Sequence, residues 1–108
     1  MKVVSFEGAR KMSILDRPKP KLSSPHDAIL RVTTSGICGS DLHMYDGRTE
    51  LKKGTVVGHE IMGVIDKIGD AVESIRESDR VVLPFNIACG YCFNCHRGYT
   101  QACLTMNP

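Results

Sequence analysis

Four of the five cysteines lie within fifteen positions of one another, near the end of the printed sequence. They follow the spacing C-x2-C-x2-C-x7-C and are Cys89, Cys92, Cys95 and Cys103. Thiolates so close in sequence can converge on one point, and closed structural zinc sites take four sulfur ligands in a tetrahedron. Gly90 and Gly98 supply the backbone freedom that tight wrapping around an ion requires. The pattern favours a structural zinc that holds residues 86–106 as a loop.

An iron–sulfur cluster, disulfides and four free thiols are the three other interpretations of these cysteines that remain open. C-x2-C-x2-C also begins the bacterial ferredoxin run, but that run closes with C-x3-C-P, whereas here the gap is seven and Leu104 follows Cys103. Disulfides would need an oxidising compartment, which nothing in the sequence suggests, and four free buried thiols would be unusual at this density. His96 lies inside the loop and could replace one thiolate in a Cys3His zinc site.

Cys38 and His59 are candidate residues of a second site. Cys38 stands just before a short predicted helix, and a helix N-terminus lowers the pKa of a thiol. The alternative for Cys38 is a small buried apolar residue, which is the usual role of a free cysteine. His59 is followed by Glu60, but Gly63 stands where the zincin motif H-E-x-x-H needs its second histidine. A core imidazole with satisfied hydrogen bonds is the alternative for His59.

Three polar residues on the predicted helix could handle protons. Ser40 and His43 are three positions apart, so they would share a helix face and could pass a proton to solvent. Asp41 could accept the N–H of a metal-bound histidine and fix its tautomer. The alternative for all three is a helix cap and a solvated helix face. His26 and His96 are predicted to lie at the surface.

The elements that must position these residues are mostly short strands. β-rich segments bounded by glycine or proline predict strands at residues 3–6, 12–15, 28–34, 61–68 and 80–85, the first two forming a hairpin. Prolines between positions 17 and 25 predict an extended loop. One short helix is predicted at residues 40–45, capped by Ser40 or Gly39. Together these elements predict a mainly β fold, either a barrel or a sandwich.

Length and composition exclude several classes of protein. The 108 residues predict one domain, in which roughly 60–68% of the unfolded chain's surface is buried. A net charge of +2 with scattered lysines and arginines argues against a nucleic-acid partner. No apolar run approaches the length of a membrane span, and Glu7 comes too early for a secretory signal. The odd number of cysteines favours a reducing compartment, so a cytoplasmic location is predicted.

Taken together, the motifs resemble one family, the zinc-dependent alcohol dehydrogenases of the medium-chain dehydrogenase/reductase class. The segments that carry the resemblance are GICGSDLH at 36–43, GHEIMGVI at 58–65, DRVV at 79–82 and the four-cysteine loop. They occur in the family's order and at its spacings, and residues 84–90 are most similar to the glutathione-independent formaldehyde dehydrogenase branch. The resemblance implies a GroES-like catalytic domain over residues 1–108, a partly open β-barrel with a short helix and a four-cysteine zinc loop at 86–106.

The resemblance also implies roles for individual residues. The implied metal ligands are Cys38, His59 and, transiently, Glu60 at a catalytic zinc, and Cys89, Cys92, Cys95 and Cys103 at a structural zinc. Asp41 would support His59, Ser40 would accept the proton of the alcohol, and His43 would relay that proton outward. The implied reaction transfers hydride from a zinc-bound alkoxide to NAD or NADP, with a small-molecule alcohol or aldehyde as substrate. The complete enzyme is expected to be a homo-oligomer.

Three departures from the family pattern limit what this chain can do. The third ligand of the catalytic zinc is expected beyond Pro108. No G-x-G-x-x-G is present, so a nucleotide-binding Rossmann domain is absent from this chain. Ser78 stands where the family usually has glycine. The chain is therefore expected to be a fragment without turnover of its own; the alternative is a non-catalytic zinc-stabilised β-domain that serves as an interaction module and gives Cys38 and His59 no metal role.

Overall fold

Short strands dominate the chain, as the β-rich segments predict. The computed structural model describes residues 1–106, so positions 107–108 of the predicted domain lie outside the described residues. The elements in chain order are β1 (Lys2–Gly8), β2 (Lys11–Asp16), β3 (Ala28–Ser35), α1 (Gly39–Tyr45), β4 (Ile61–Ile68), β5 (Arg80–Leu83) and α2 (Phe93–His96). A 3-10 turn follows at Thr100–Ala102. The prediction of a mainly β fold is confirmed, and the sheets are open.

The strands form two antiparallel sheets. β1 and β2 make the predicted hairpin, with Val3 opposite Leu15, and β3, β4 and β5 make a three-stranded sheet in that order. The segment at positions 54–57 joins the two sheets, because it runs beside β1 before it leads into β4. There the Phe6 N–H donates to the Thr55 carbonyl at 2.9 Å. The hairpin therefore fixes the chain just before His59.

The cap of α1 differs from the prediction. The helix begins at Gly39 and its N-cap is Cys38, so the prediction of Ser40 or Gly39 as the cap was wrong. The Asp41 carboxylate accepts a hydrogen bond from the Cys38 N–H at 2.8 Å. An acidic residue at the third helical position is a favourable partner for the first N–H groups of a helix. This bond is one half of a capping box, in which the residue at the third helical position accepts the N–H of the N-cap residue.

Two further elements differ at their ends or were missed. The strand predicted at 80–85 ends at Leu83, since Pro84 cannot donate a ladder hydrogen bond. The helix α2 lies inside the cysteine loop, and its four residues are too few to give a periodic signal. None of the helices within the described residues is long and apolar enough to cross a membrane.

The hydrophobic core is smaller than the length predicts. The accessible surface is 8322 Å², whereas a compact monomer of this size exposes about 6,000 Å². Against about 17,000 Å² for the unfolded chain, only about half is buried, so the expectation of roughly 60–68% was wrong. Phe6 and Ile65 are buried, but Ile37 and Phe85 are 81% and 76% exposed. The open sheets leave many apolar side chains without a covering layer among residues 1–106.

Ser78 holds a turn that normally favours glycine. Its φ of +74° lies in the left-handed region, and its N–H donates to the Ile65 carbonyl at 2.9 Å. A residue with a Cβ loses about 1–2 kcal/mol in this conformation. Serine in place of the family's usual glycine thus leaves the turn in place but lowers the stability of the fold.

We expect Ser78→Gly to raise the free energy of unfolding. Glycine removes the left-handed penalty but loses more backbone entropy on folding, which leaves a net gain of about 0.5–1 kcal/mol. Urea denaturation of the zinc-loaded chain measures this gain as a higher midpoint with an unchanged slope. Ser78→Ala is the control, because it keeps the Cβ and should give no gain. A lower midpoint for the glycine variant would contradict the expectation.

Candidate metal centres

The four clustered cysteines converge at one point of the cysteine loop. One ligand atom from each lies within 4.8 Å of the others; the four residues are Cys89, Cys92, Cys95 and Cys103. Cys103 is fully buried and the other three are partly buried. Zinc–sulfur bonds of about 2.3 Å place tetrahedral sulfurs slightly under 4 Å apart, so this arrangement needs only a small contraction to hold zinc. His96 is exposed and lies outside the group, which disfavours a Cys3His site.

Backbone geometry brings the sulfurs together. Gly90 and Gly98 have φ values of +80° and +83°, so both glycines adopt the left-handed conformation that the sequence predicts for a tight loop. Cys92 is the N-cap of α2, and Cys95 follows in that helix. The Gly90 turn and the short helix thus account for the C-x2-C-x2-C spacing, and the Gly98 turn lies in the seven residues that precede Cys103.

Amide N–H groups point at the sulfur atoms. The Cys103 sulfur accepts hydrogen bonds from the Cys89 N–H at 3.3 Å and the Met106 N–H at 3.4 Å. The Cys89 sulfur accepts from the Cys92 N–H at 3.4 Å. N–H donors to sulfur stabilise thiolates, which are the form that binds metal. The donor set therefore fits a zinc ion.

The pKa values of the cluster are pushed apart. A hydrogen bond from the Thr105 hydroxyl lowers the pKa of Cys89 to about 6, and burial raises the pKa of Cys95 to about 11. The N–H of Cys95 lowers the pKa of Cys92. Four sulfurs this close cannot all ionise without a cation, because like charges oppose one another. A metal ion would remove that conflict and release the remaining protons.

The second cluster forms where two paired strands meet the loops at their ends. β3 ends at Ser35 and β4 begins at Ile61, and these two residues are opposite each other in the sheet. Cys38 follows the first strand, while His59 and Glu60 precede the second. Their ligand atoms lie within 4.8 Å of one another. Strand pairing therefore brings together residues that are about twenty positions apart in sequence.

Asp41 connects two members of this cluster. One carboxylate oxygen accepts the N–H of Cys38, and the other, Oδ1, lies 3.4 Å from Nδ1 of His59. That Oδ1 is buried and has no hydrogen bond of good geometry within residues 1–106. A proton on Nδ1 would satisfy this oxygen and leave Nε2 free to bind a metal. The unpaired Oδ1 of Asp41 is thus what a histidine that binds metal through Nε2 would require.

The thiol and imidazole favour their charged forms. Hydrogen bonds from the hydroxyl and the N–H of Ser40, and then from His59, lower the pKa of Cys38. The hydrogen bond to Cys38 raises the pKa of His59. The Ser40 Oγ also lies 3.4 Å from His59 Nε2. A thiolate, an imidazole and the Glu60 carboxylate form a donor set that suits zinc.

The predicted proton-handling residues lie at different distances from this centre. Ser40 contacts His59 directly, whereas the His43 side chain is exposed on α1 and forms no hydrogen bond with Ser40 among the described residues. Asp41 lies between Cys38 and His59. The structure therefore brings Ser40 and Asp41 to the cluster and leaves His43 at the surface.

An apolar cavity of about 380 Å³ opens beside His59 and Glu60. Phe85 lines it, and its ring meets the His59 ring edge-on with centroids 6.4 Å apart. Met62 and Val82 from β4 and β5 complete the apolar wall. None of the sequence motifs gives Phe85 a role in a site. An aromatic residue directly after Pro84 was the available signal.

Comparisons with known proteins agree on one class. The alcohol dehydrogenase GroES-like domain family matches residues 24–107. The chain is 44% identical to a glutathione-independent formaldehyde dehydrogenase of Pseudomonas aeruginosa (strain LESB58), covering 97% of this chain and 28% of that protein. It is 40% identical to the uncharacterised zinc-type alcohol dehydrogenase-like protein AdhB of Bacillus subtilis (strain 168), covering 99% of this chain and 29% of that protein.

Solved structures indicate the same family. The fold is similar to alcohol dehydrogenase TADH from Thermus sp. ATN1, with a TM-score of 0.89 and 39% identity. The match covers 96% of this chain and 30% of that chain. The printed sequence thus spans less than a third of the length of each of these three proteins.

Proposed function

Because the chain belongs to the alcohol dehydrogenase family, through the GroES-like domain that its sequence matches, we propose that residues 1–108 form a zinc-binding catalytic domain of an NAD- or NADP-dependent alcohol or aldehyde dehydrogenase. The observation that carries the proposal is the convergence of Cys38, His59 and Glu60 beside an apolar cavity. A catalytic zinc site combines a few protein ligands with room for substrate, and this arrangement has both.

The residues of the second cluster would have different roles in catalysis. Cys38, His59 and Glu60 would hold a zinc ion, which would supply a Lewis acid for the oxygen of an alcohol or aldehyde. Asp41 would keep the proton on Nδ1 of His59 and so present Nε2. The cavity wall would bind the carbon portion of a small substrate and exclude water from it.

Protons and hydride would leave by different routes. The Ser40 hydroxyl, already in contact with His59, would accept the proton of the alcohol while it releases its own. The exposed His43 would pass that proton to solvent through water, since it forms no direct hydrogen bond with Ser40 among the described residues. A nicotinamide cofactor, which the family resemblance implies, would supply the hydride acceptor when bound. Residues outside this chain would bind that dinucleotide, since no G-x-G-x-x-G occurs here.

The four cysteines would have a structural role. Their zinc would have no open position, so it would close the loop at 86–106 rather than bind substrate. The interaction-module alternative keeps this site but leaves the Cys38–His59–Glu60 cluster unexplained, and the comparisons do not favour it. A homo-oligomeric assembly and a cytoplasmic location remain predictions.

A chimera tests the proposed function. Residues 1–108 would replace the matching segment of the Pseudomonas aeruginosa formaldehyde dehydrogenase, to which they are 44% identical. We expect the chimera to reduce NAD⁺ or NADP⁺ with formaldehyde or a short primary alcohol, and the isolated chain to show no such activity. The parent enzyme is the positive control. A folded, zinc-loaded chimera without activity, or clear turnover by the isolated chain, would contradict the proposal.

A further inference from the structure

Gly36 leaves the space that the Glu60 side chain fills. A Cβ placed on Gly36 would meet the Cβ of Glu60 at 3.3 Å and its Cδ at 3.4 Å, and would overlap the carboxylate oxygen Oε2. The contacts with Cβ and Cδ would be tight, and the overlap with Oε2 is sterically impossible. The Glu60 carboxylate therefore lies directly over the bare backbone of Gly36, two residues before Cys38.

Backbone conformation does not explain a glycine at position 36. Its φ lies outside the left-handed region, which the positive-φ glycines of this chain occupy. Any residue with a Cβ could adopt this backbone without the penalty that applies at Gly90 or Gly98. What position 36 requires is an absence of side-chain volume.

The backbone cannot move away to make room. The Gly36 N–H donates to the Glu60 carbonyl at 2.9 Å, and the next pair along the two strands, Ser35 and Ile61, is in register. A methyl group at position 36 would therefore displace the Glu60 side chain rather than the main chain. The overlap with the Glu60 Oε2 is relieved when the carboxylate swings away through a change of rotamer, whereas the 3.3 Å contact with the Glu60 Cβ, which no side-chain rotation moves, is tight and stays.

We propose that Gly36 is a positioning residue for the Glu60 carboxylate, and that its missing side chain lets Glu60 reach the metal site formed with Cys38 and His59. The inference rests on the proposed function, because it assumes a metal at that site. Glu60 is otherwise exposed and forms no hydrogen bond or ion pair among the described residues that would hold its carboxylate in place. The shape of the backbone beneath it is then the main restraint on its direction.

Cobalt binding measures the effect apart from activity. The four-cysteine site is first filled with one equivalent of zinc, and Co²⁺ is then titrated while the visible and thiolate-to-metal absorption bands are followed. Gly36→Ala should weaken cobalt binding about 10- to 100-fold, the usual loss when support for a metal ligand is removed. Its spectrum should match that of Glu60→Ala. Gly39→Ala is the matched control, because nothing lies within 4 Å of the added methyl group.

A double-mutant cycle separates positioning from a merely structural role. In the Glu60→Ala background, Gly36→Ala should have no further effect on cobalt affinity, because the side chain it displaces is gone. Wild-type affinity in Gly36→Ala, or an equal loss in both backgrounds, would overturn the inference. Should Gly36→Ala fail to fold, the double variant must fold and bind cobalt as Glu60→Ala does; its failure would overturn the inference too.

One further variant distinguishes this inference from the proposed function. Cys38→Ser should abolish the cobalt thiolate band of the second site. Retention of that band would defeat the proposed function itself. Loss of the band in Cys38→Ser, together with wild-type behaviour of Gly36→Ala, would overturn only the role of Gly36.

Discussion

Replacing Cys103 with serine is expected to release the cysteine loop while the two sheets stay folded. Cys103 is fully buried, and its sulfur accepts two backbone N–H groups, so it anchors both ends of the loop. Structural zinc supplies on the order of 10 kcal/mol of folding free energy in small zinc-binding peptides, and the loop has few other contacts that could replace it. Hydrogen exchange of residues 86–106 should rise strongly, with new proteolytic cuts in the same region.

Cys38→Ser is the matched control for this experiment. It makes the same chemical change outside the loop, so exchange at residues 86–106 should stay as in the unmodified chain. Strands β3 and β4 should remain protected in both variants, since their pairing does not involve the four thiols. A loop that stays protected in Cys103→Ser would show that zinc is not what closes it.

Cys38→Ser is expected to remove most of the activity of the chimera. The variant loses the thiolate at the second centre but keeps the fold and the four-cysteine site. Lewis-acid catalysis contributes several kcal/mol, and each 1.36 kcal/mol is tenfold in rate, so kcat/KM should fall about 1000-fold or more. Steady-state assays and metal analysis on the same preparation measure both losses together.

The control for the activity loss is an exposed residue far from the centre. Lys52 is exposed and lies just before the segment at positions 54–57 that joins the two sheets. The Lys52→Ser substitution should therefore leave kcat/KM unchanged. A Cys38→Ser chimera that keeps full activity would instead support the interaction-module alternative, in which this cysteine has no metal role.

Local patterns in the sequence predicted most elements and one of the two centres. The C-x2-C-x2-C-x7-C spacing places all four thiols in one loop, so their convergence could be inferred without knowing the rest of the fold. The hairpin and β4 followed from alternating apolar residues and turn glycines. Agreement with zinc-type alcohol dehydrogenases confirms the family that the motifs indicate.

Other features depend on contacts that local patterns do not encode. The N-cap at Cys38 exists because a carboxylate three residues later accepts its N–H, which a preference for serine caps does not capture. The approach of Cys38 to His59 follows from the register of β3 on β4. The space above Gly36 appears only when Glu60 is placed over it.

The small size of the hydrophobic core could not be predicted from local sequence patterns either. Length alone predicts how much surface a chain of this size can bury, but it cannot tell whether the sheets close on each other. Here residues such as Ile37 and Phe85 remain exposed, although their types are those of a core. Length therefore predicted more burial than the open sheets provide.

Metal content per chain shows whether the four cysteines hold zinc. The protein is purified without added metal, dialysed against a chelator and analysed for metal identity and amount, alongside Cys38→Ser and Cys103→Ser. About one zinc per chain should survive dialysis in the unmodified chain and in Cys38→Ser, because a closed four-sulfur site holds one ion. This zinc should be lost in Cys103→Ser. Iron, no metal, or zinc retained by Cys103→Ser would contradict a structural zinc at the four cysteines.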